Sequence, residues 1–193
     1  MGARRSAAGL LILVVAALTG GTLLGSLPPA GDVRSVAAAS DVVLTWTSRQ
    51  PMHTARSSLA VVTATNGKVY AIGGTNPSAP HPIDLCCLAT VEEYDPATNT
   101  WATKASMPTP RYWLAAAAAP NGKVYAIGGL GPPNAQSAVV EEYDPSTNSW
   151  TRKADLPAAN YGLGAAAAAN GRIYAIGGGR QPRRTHSHIL LQG

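Results

Sequence analysis

One nine-residue sequence, NGKVYAIGG, occupies residues 66–74 and returns unchanged at 121–129, and a third copy at 170–178 differs at two conservative positions. The copies begin 55 and 49 residues apart. A second segment keeps the shorter interval, because VEEYDPATNTW at 91–101 returns as VEEYDPSTNSW at 140–150. Self-similarity with a period of roughly 50 residues predicts a fold built from stacked structural repeats.

The start of each copy predicts a β-hairpin. Asn-Gly between two apolar runs favours a type I′ turn, in which both central residues take positive φ. The two glycines that end the next strand can turn the chain or admit another backbone at close range. Before the turn, LAVVTATN at 59–66 favours a strand. Its counterparts at 114–120 and 163–170 are alanine-rich and suit a helix by propensity, but the repeat alignment predicts strands there too.

A second hairpin is predicted by Asp-Pro-Ala/Ser-Thr-Asn. Asp and Pro suit the first two positions of a type I turn, and the Asn behind them can take the left-handed conformation. Tyr94 and Trp101, like Tyr143 and Trp150, are seven residues apart, so we expect each pair to meet across this hairpin. Each repeat therefore contains four short antiparallel strands.

The paired glycines, the tyrosine and the tryptophan seven residues beyond it resemble the kelch repeat, whose family builds β-propellers with one four-stranded blade per repeat. The resemblance implies an all-β fold with a strand at Trp46, full blades at 56–101 and 111–150, and two strands of another blade at 161–178. Closed propellers have about four to eight blades, so we expect an incomplete ring. The framework residues are Gly73, Gly74, Tyr94, Trp101, Gly128, Gly129, Tyr143, Trp150, Gly177 and Gly178.

Residues 1–39 differ in character from the repeats at 40–178. Arg4 and Arg5 precede a long run without charge, a pattern typical of export. Small residues at 37–39 offer a cleavage site, so the segment is either a cleaved signal peptide or a hydrophobic helix that remains as a membrane anchor. In both cases we expect the repeats to be secreted or to lie on the extracytoplasmic face of the cell membrane.

The formal net charge is +5, but the repeats contribute nothing to it. Residues 41–178 contain nine cations and nine acids, and the excess lies in the leader and in the basic tail at 179–193. Nucleic-acid binding needs basic residues gathered on a folded face. We therefore expect no nucleic-acid partner, and membrane contact only through an uncleaved leader.

The tail at 179–193 contains no Tyr, Asp-Pro or Trp, so the repeat pattern stops at Gly178. We expect from this a truncated or frame-shifted protein of the bacterial exported kelch type, the N-terminal part of a longer propeller. The alternative is a natural short form that completes a ring by self-association through its open blade faces.

Cys86 and Cys87 are adjacent and lie in an insertion of the first repeat. A disulfide between neighbouring residues closes a strained ring and is uncommon. Reduced or intermolecularly paired thiols are therefore favoured over a disulfide between these two. His186 and His188 have a spacing that metals use, but no third ligand accompanies them. We expect no metal site and no cofactor.

The candidate ligand face comprises Arg56, Arg111 and Asn160, at equivalent positions near the start of the first strand of each repeat. The kelch resemblance implies that this position lies near a rim of the central channel. The alternative, which we favour, is that these side chains bond to loop carbonyls of the neighbouring blade. The pairs at 92–93 and 141–142 are adjacent glutamates, which point to opposite faces of a strand. We expect them to be solvated or bonded within the hairpin, not to act as an acid–base pair.

The resemblance implies a binding or interaction module for a protein or a carbohydrate, because no catalytic constellation is found in the sequence. Fold alone does not decide function. The second hypothesis is therefore the N-terminal part of a kelch-propeller enzyme, such as a carbohydrate oxidase, epimerase or mutarotase, inactive in this form.

Overall fold

The computed structural model describes residues 46–76, 87–179 and 189–192, and every regular element in these three ranges is a β-strand. The all-β prediction is confirmed. The N-terminal helix and the cleavage site expected within residues 1–39 lie outside the described residues. In the described ranges, no helix is long and apolar enough to cross a membrane.

The strands in the described part of the chain are, in order, β1 (Ala60–Thr63), β2 (Val69–Ile72), β3 (Val91–Asp95), β4 (Thr100–Lys104), β5 (Ala115–Ala118), β6 (Val124–Ile127), β7 (Leu130–Gly131), β8 (Ala135–Gln136), β9 (Val140–Asp144), β10 (Ser149–Arg152), β11 (Tyr161–Ala167), β12 (Ile173–Gly179) and β13 (Ile189–Gln192).

Two sheets have four antiparallel strands each and form the two full blades predicted from the repeats. Their strand orders are β1-β2-β3-β4 and β5-β6-β9-β10, and β7 and β8 form a separate small hairpin between β6 and β9. The alanine run at 115–118 is the strand β5, as the repeat alignment predicts and helix propensity does not. Alternate alanines of β5 are buried in the core that the second and third sheets share, so tertiary packing outweighs local propensity.

The third sheet contains one more strand than the repeat pattern indicates. The predicted strands within 161–178 are present as β11 and β12, and β13 pairs antiparallel with β12 in the order β11-β12-β13. Ile189 lies opposite Ile176, as Val91 lies opposite Ile72 in the first sheet. Part of the tail thus takes the place of the VEEYD strand without sharing its sequence.

The strand expected at Trp46 is not formed. Residues 46–50 have no regular structure, and Trp46 is 62% exposed. Trp101 and Trp150 each follow a tyrosine and an Asp-Pro turn, whereas the residue seven positions before Trp46 is Ala39, so the cross-strand ring contact has no partner. The described residues from Gln50 onward belong to one compact unit.

The Asn-Gly turns differ from the predicted type. The amide of Gly67 donates to the carbonyl of Ala64 (3.0 Å), and the amide of Ala64 donates to the carbonyl of Lys68 (2.9 Å). Only Gly67 (φ 76°) has positive φ in this turn, which makes it a type I turn followed by a left-handed glycine. Asn66 contributes its side chain instead, because its Oδ1 accepts from the amide of Lys68 (3.0 Å). The type I′ prediction is therefore wrong, and the other two copies have the same bonds.

The second hairpin has the predicted left-handed asparagine and the predicted aromatic pair. Asn99 takes φ 57°, and its amide donates to the carbonyl of Asp95 (2.8 Å). Tyr94 lies directly opposite Trp101, with ring centroids 5.1 Å apart. The Tyr94 hydroxyl also donates to Asn99 Oδ1 (2.9 Å), so the turn residue and the aromatic pair support each other.

The second blade repeats this hairpin. The rings of Tyr143 and Trp150 are again 5.1 Å apart, and the Tyr143 hydroxyl donates to Asn148 Oδ1 (2.8 Å). Burial raises the pKa of Tyr143 to about 12, so the phenol stays a donor throughout the neutral range.

Neighbouring blades meet at the paired glycines. The amide of Gly74 donates to the carbonyl of Arg111 in the next repeat (2.9 Å), and the amide of Gly129 donates to the carbonyl of Asn160 (2.8 Å). A β-carbon at position 73 would lie 2.4 Å from the Arg111 oxygen. The glycines are needed because the next blade's backbone occupies that space, as the sequence predicts.

Side chains of β2 and β6 help to fill the space between the first two blades. Between the first and second blades, Tyr70 and Ile72 of β2 pack in one buried cluster with Val124 and Ala126 of β6. The ring of Tyr70 also contacts that of Tyr143 edge to face, with centroids 5.7 Å apart. Each blade therefore completes the core of the one before it.

Replacing Gly73 with alanine tests this docking, with Gly67→Ala as a matched control. Both glycines have positive φ, but a β-carbon at position 67 has nothing within 4 Å. We expect Gly67→Ala to cost about 1–2 kcal/mol for the left-handed backbone. Gly73→Ala should cost about 1–3 kcal/mol more because of overpacking. Urea unfolding measures both, and equal losses would contradict close docking at Gly73.

Candidate functional site

Arg111 forms a buried ion pair within the second blade. Its Nη2 lies 2.7 Å from Glu141 Oε2, and both side chains are almost completely buried. Its Nη1 donates to the carbonyls of Gly128 (2.8 Å), after β6, and Val139 (2.7 Å), before β9. The guanidinium therefore ties the ends of two strands together. Burial lowers the pKa of Arg111, and the Glu141 carboxylate opposes that shift.

Arg56 repeats the arrangement in the first blade. Its Nη2 bonds to Glu92 Oε1 (2.5 Å), and its Nη1 donates to the carbonyls of Gly73 (3.2 Å) and Thr90 (2.7 Å). The carbonyls belong to the arginine's own repeat, whereas we predicted that they would belong to the neighbouring blade.

Glu92 and Glu141 are buried and bond to arginines that lie outside their hairpins, so the expectation that they are solvated or bonded within the hairpin is wrong for them. The neighbouring glutamates behave as expected, because Glu93 and Glu142 are only partly buried and pair across their hairpins with Lys104 (3.1 Å) and Lys153 (3.0 Å). Their faces alternate along the strand, as predicted. The buried members were missed because the sequence alone does not pair them with arginines that lie 36 and 30 residues away.

Asn160 has a different partner set in the third repeat. Its Nδ2 donates to the carbonyl of Gly177 (2.8 Å), while its Oδ1 is buried without a hydrogen bond in the described part of the chain. The register explains the change of residue. Glu92 and Glu141 lie opposite alanines of β2 and β6, and the residue opposite the corresponding Ala175 of β12 is Leu190. The third repeat thus lacks both the arginine and the glutamate.

The candidate ligand face therefore does not come together as a site. Arg56, Arg111 and Asn160 are each buried and bonded within their own repeats. Their common role is structural, and a ligand-binding surface has to be sought among the exposed residues beside them.

Two positions after each of these residues, the chain takes the left-handed conformation. Ser58 has φ 55°, Trp113 has φ 48° and Gly162 has φ 63°. The three positions are linked across the blades, because the amide of Trp113 donates to the carbonyl of Ser58 (2.9 Å) and the amide of Gly162 donates to the carbonyl of Trp113 (2.8 Å). Successive repeats therefore present these residues side by side.

An exposed group of aromatic residues surrounds Trp113. We define the aromatic patch as Tyr112, Trp113, Asn134 and Tyr161. The ring centroids of Trp113 and Tyr161 are 5.8 Å apart with an interplanar angle of 16°, and those of Tyr112 and Trp113 are 5.5 Å apart. The Tyr112 hydroxyl donates to Asn134 Oδ1 (2.7 Å). Trp113 is nevertheless 48% exposed.

Tyr112, Trp113 and Tyr161 were not among the predicted site residues. The sequence does contain a signal for the patch, because the equivalent segments RSSLAV, RYWLAA and NYGLGA start at residues 56, 111 and 160. Their third position changes from Ser to Trp to Gly, while the backbone position stays the same. Such variation on a constant scaffold is typical of a binding surface.

The other candidate chemistry stays a prediction. The described residues contain no group of three or more His, Cys, Asp or Glu side chains that could hold a metal ion. Cys87 Sγ lies 3.8 Å from the Leu130 carbonyl oxygen, while Cys86, His186 and His188 lie outside the described residues.

Known proteins contain segments that are similar to these repeats. The Kelch motif family model matches residues 56–108 and 114–157. An F-box/kelch-repeat protein of Arabidopsis thaliana is 37% identical over 106 residues, which is 54% of this chain and 25% of that protein.

Two mouse proteins have similar segments. Kelch-like protein 35 of Mus musculus is 40% identical over 88 residues, or 45% of this chain and 14% of that protein. The influenza virus NS1A-binding protein homolog of Mus musculus is 42% identical over 79 residues, or 41% of this chain and 11% of that protein. The matched region spans a quarter or less of these curated relatives.

Substituting the buried pair of the second blade with the residues of the third repeat tests its role. Glu141→Leu leaves Arg111 buried without its carboxylate and should cost about 3–5 kcal/mol. Adding Arg111→Asn to that variant removes the uncompensated charge and should recover most of the loss. Urea unfolding of the single variants and the double variant gives the coupling energy. Additive losses would contradict a direct ion pair.

Proposed function

The chain belongs to the kelch-repeat family, and we propose from this premise that its repeats form a protein-interaction module whose contact surface is the aromatic patch. Kelch repeats and kelch-like relatives suggest protein binding. One relative is named as the homologue of a protein that binds influenza virus NS1A. The whole activity of those longer proteins is not carried over, because the similarity spans only part of them.

The observation that carries the proposal is the left-handed backbone of Trp113. A bulky residue at positive φ is an outlier that costs about 1 kcal/mol relative to the glycine that the third repeat has at the equivalent position. Strained positions that persist in a fold cluster at functional sites. Packing alone does not account for Trp113, because nearly half of its surface is exposed.

The composition of the patch also supports protein binding. Tryptophan and tyrosine dominate the binding energy of protein interfaces, where rigid rings bury a large area with little loss of side-chain entropy. The loop that contains β7 and β8 supplies Asn134 at the edge of the patch. The repeat scaffold would therefore hold the rings in place before a partner arrives, which lowers the entropic cost of binding.

The cellular setting and the further partners are part of the same proposal. The charged start and the apolar run within residues 1–39 support export, and hence a partner outside the cytoplasm. Self-association is supported by Ile176, which is 46% exposed on the third sheet, whereas Ile72 and Ile127 at the equivalent positions are buried. A carbohydrate ligand would use the same exposed rings.

Replacing Trp113 with glycine, the residue that the third repeat has at this position, tests the proposed surface without unfolding the protein. The relaxed backbone gains about 1 kcal/mol and offsets the loss of two ring contacts worth about 0.5–1.5 kcal/mol each. We expect the free energy of unfolding to change by less than about 2 kcal/mol. Binding to the partner should weaken at least tenfold.

Trp46→Ala is the matched control, because Trp46 is an exposed tryptophan outside the patch. Proteins captured by the full-length chain from extracytoplasmic extracts are purified, and their Kd is measured for the unsubstituted chain and for both variants. A partner that binds all three equally well would contradict the proposed surface.

A further inference from the structure

Trp113 differs from the framework tryptophans in the hydrogen bonding of its indole N–H group. Trp101 donates its indole N–H to the Gln50 carbonyl (2.8 Å), and Trp150 donates to the Ala105 carbonyl (2.9 Å). The indole N–H of Trp113 has no such partner in the described part of the chain. Tryptophan is a donor only, so the exposed ring offers a donor that the fold itself does not use.

The aromatic patch as a whole is uncharged, because none of its four residues has a charged side chain. The Oδ1 of Asn134, its side-chain acceptor, already receives the Tyr112 hydroxyl. The Tyr161 hydroxyl has no hydrogen bond within the described ranges. The surface therefore combines flat apolar rings with the unused hydrogen-bond donors of Trp113 and Tyr161, and it has no charged side chain.

Such a surface is complementary to a chain that is apolar, uncharged and rich in acceptors. Proline residues have these properties, because each keeps its carbonyl and lacks an N–H group. Proline-rich segments adopt the polyproline II conformation, with exposed carbonyls and little entropy to lose on binding, and they dock on aromatic surfaces.

We infer that the aromatic patch binds a proline-rich segment of the partner in the polyproline II conformation, with the Trp113 indole donating to a carbonyl of that segment. This inference rests on the proposed function and names the chemistry of the partner. The spacing is compatible with it, since two polyproline II residues advance about 6 Å and neighbouring rings of the patch are 5.5 and 5.8 Å apart.

The test uses the full-length chain labelled with ¹⁵N at the tryptophan indoles. A capped decaproline peptide is titrated against it, and a Gly/Ser decapeptide and a neutral linear hexasaccharide serve as controls. We expect decaproline to shift the Trp113 indole resonance and to leave that of Trp150 unchanged. Both controls should have no effect.

Two variants separate the ring from its donor. Trp113→Phe keeps an aromatic ring without the N–H and should weaken decaproline binding by about fivefold, as expected for one hydrogen bond. Trp113→Gly should weaken it at least tenfold. For both variants, binding is followed through the fluorescence of a dye on the peptide.

A decaproline titration that leaves the Trp113 indole unchanged would overturn the inference, and so would binding that survives Trp113→Gly. A shift caused by the hexasaccharide and not by decaproline would also overturn it, in favour of a sugar. If the captured partner is lost with Trp113→Gly while decaproline does not bind, the proposed function stands and the proline assignment fails. If neither depends on Trp113, both fail.

Discussion

The backbone carbonyl of Arg111 lies so close to Gly73 that no β-carbon fits between them, and the amide of Gly74 donates to the same oxygen. The second and third repeats meet in the same way, with the carbonyl of Asn160 against Gly128 and Gly129. This contact fixes how far each blade lies from the next. The buried cluster between the first two blades can then include small residues such as Ala126, because the backbones are held at close range.

Arg111 acts in two directions from this contact. Its carbonyl binds the preceding blade, while its guanidinium binds Glu141 and two carbonyls of its own blade. One residue therefore couples the docking of two blades to the closure of one of them. Two positions later, the carbonyl of Trp113 accepts from the amide of Gly162 in the following repeat. The backbone of Trp113 thus belongs to the framework, while its side chain lies outside it. The framework thus imposes a conformation at a position where the side chain is free to vary.

The repeats, the strands, the aromatic pairs and the close approach at the glycines could be predicted because each leaves a local pattern that recurs at a fixed interval. The turn type at Asn66 could not, since Asn-Gly suits both a type I′ turn and a type I turn followed by a left-handed glycine. Burial of Glu92 depends on a partner 36 residues away. The strand β13 has none of the repeat's residues and is defined by its pairing with β12. The tryptophan at position 113 has no counterpart in the other repeats, so the repeat pattern does not indicate it.

Native-state hydrogen exchange at the amides that link the blades tests this account most directly. The amides of Gly74, Gly129, Trp113 and Gly162 all donate to the neighbouring repeat. If inter-blade contacts hold the structure together, these four amides exchange only through global unfolding, at the free energy measured for the central strands β2 and β6. Exchange of these amides at a much lower free energy, with β2 and β6 still protected, would show that the blades are stable without docking and would contradict the account.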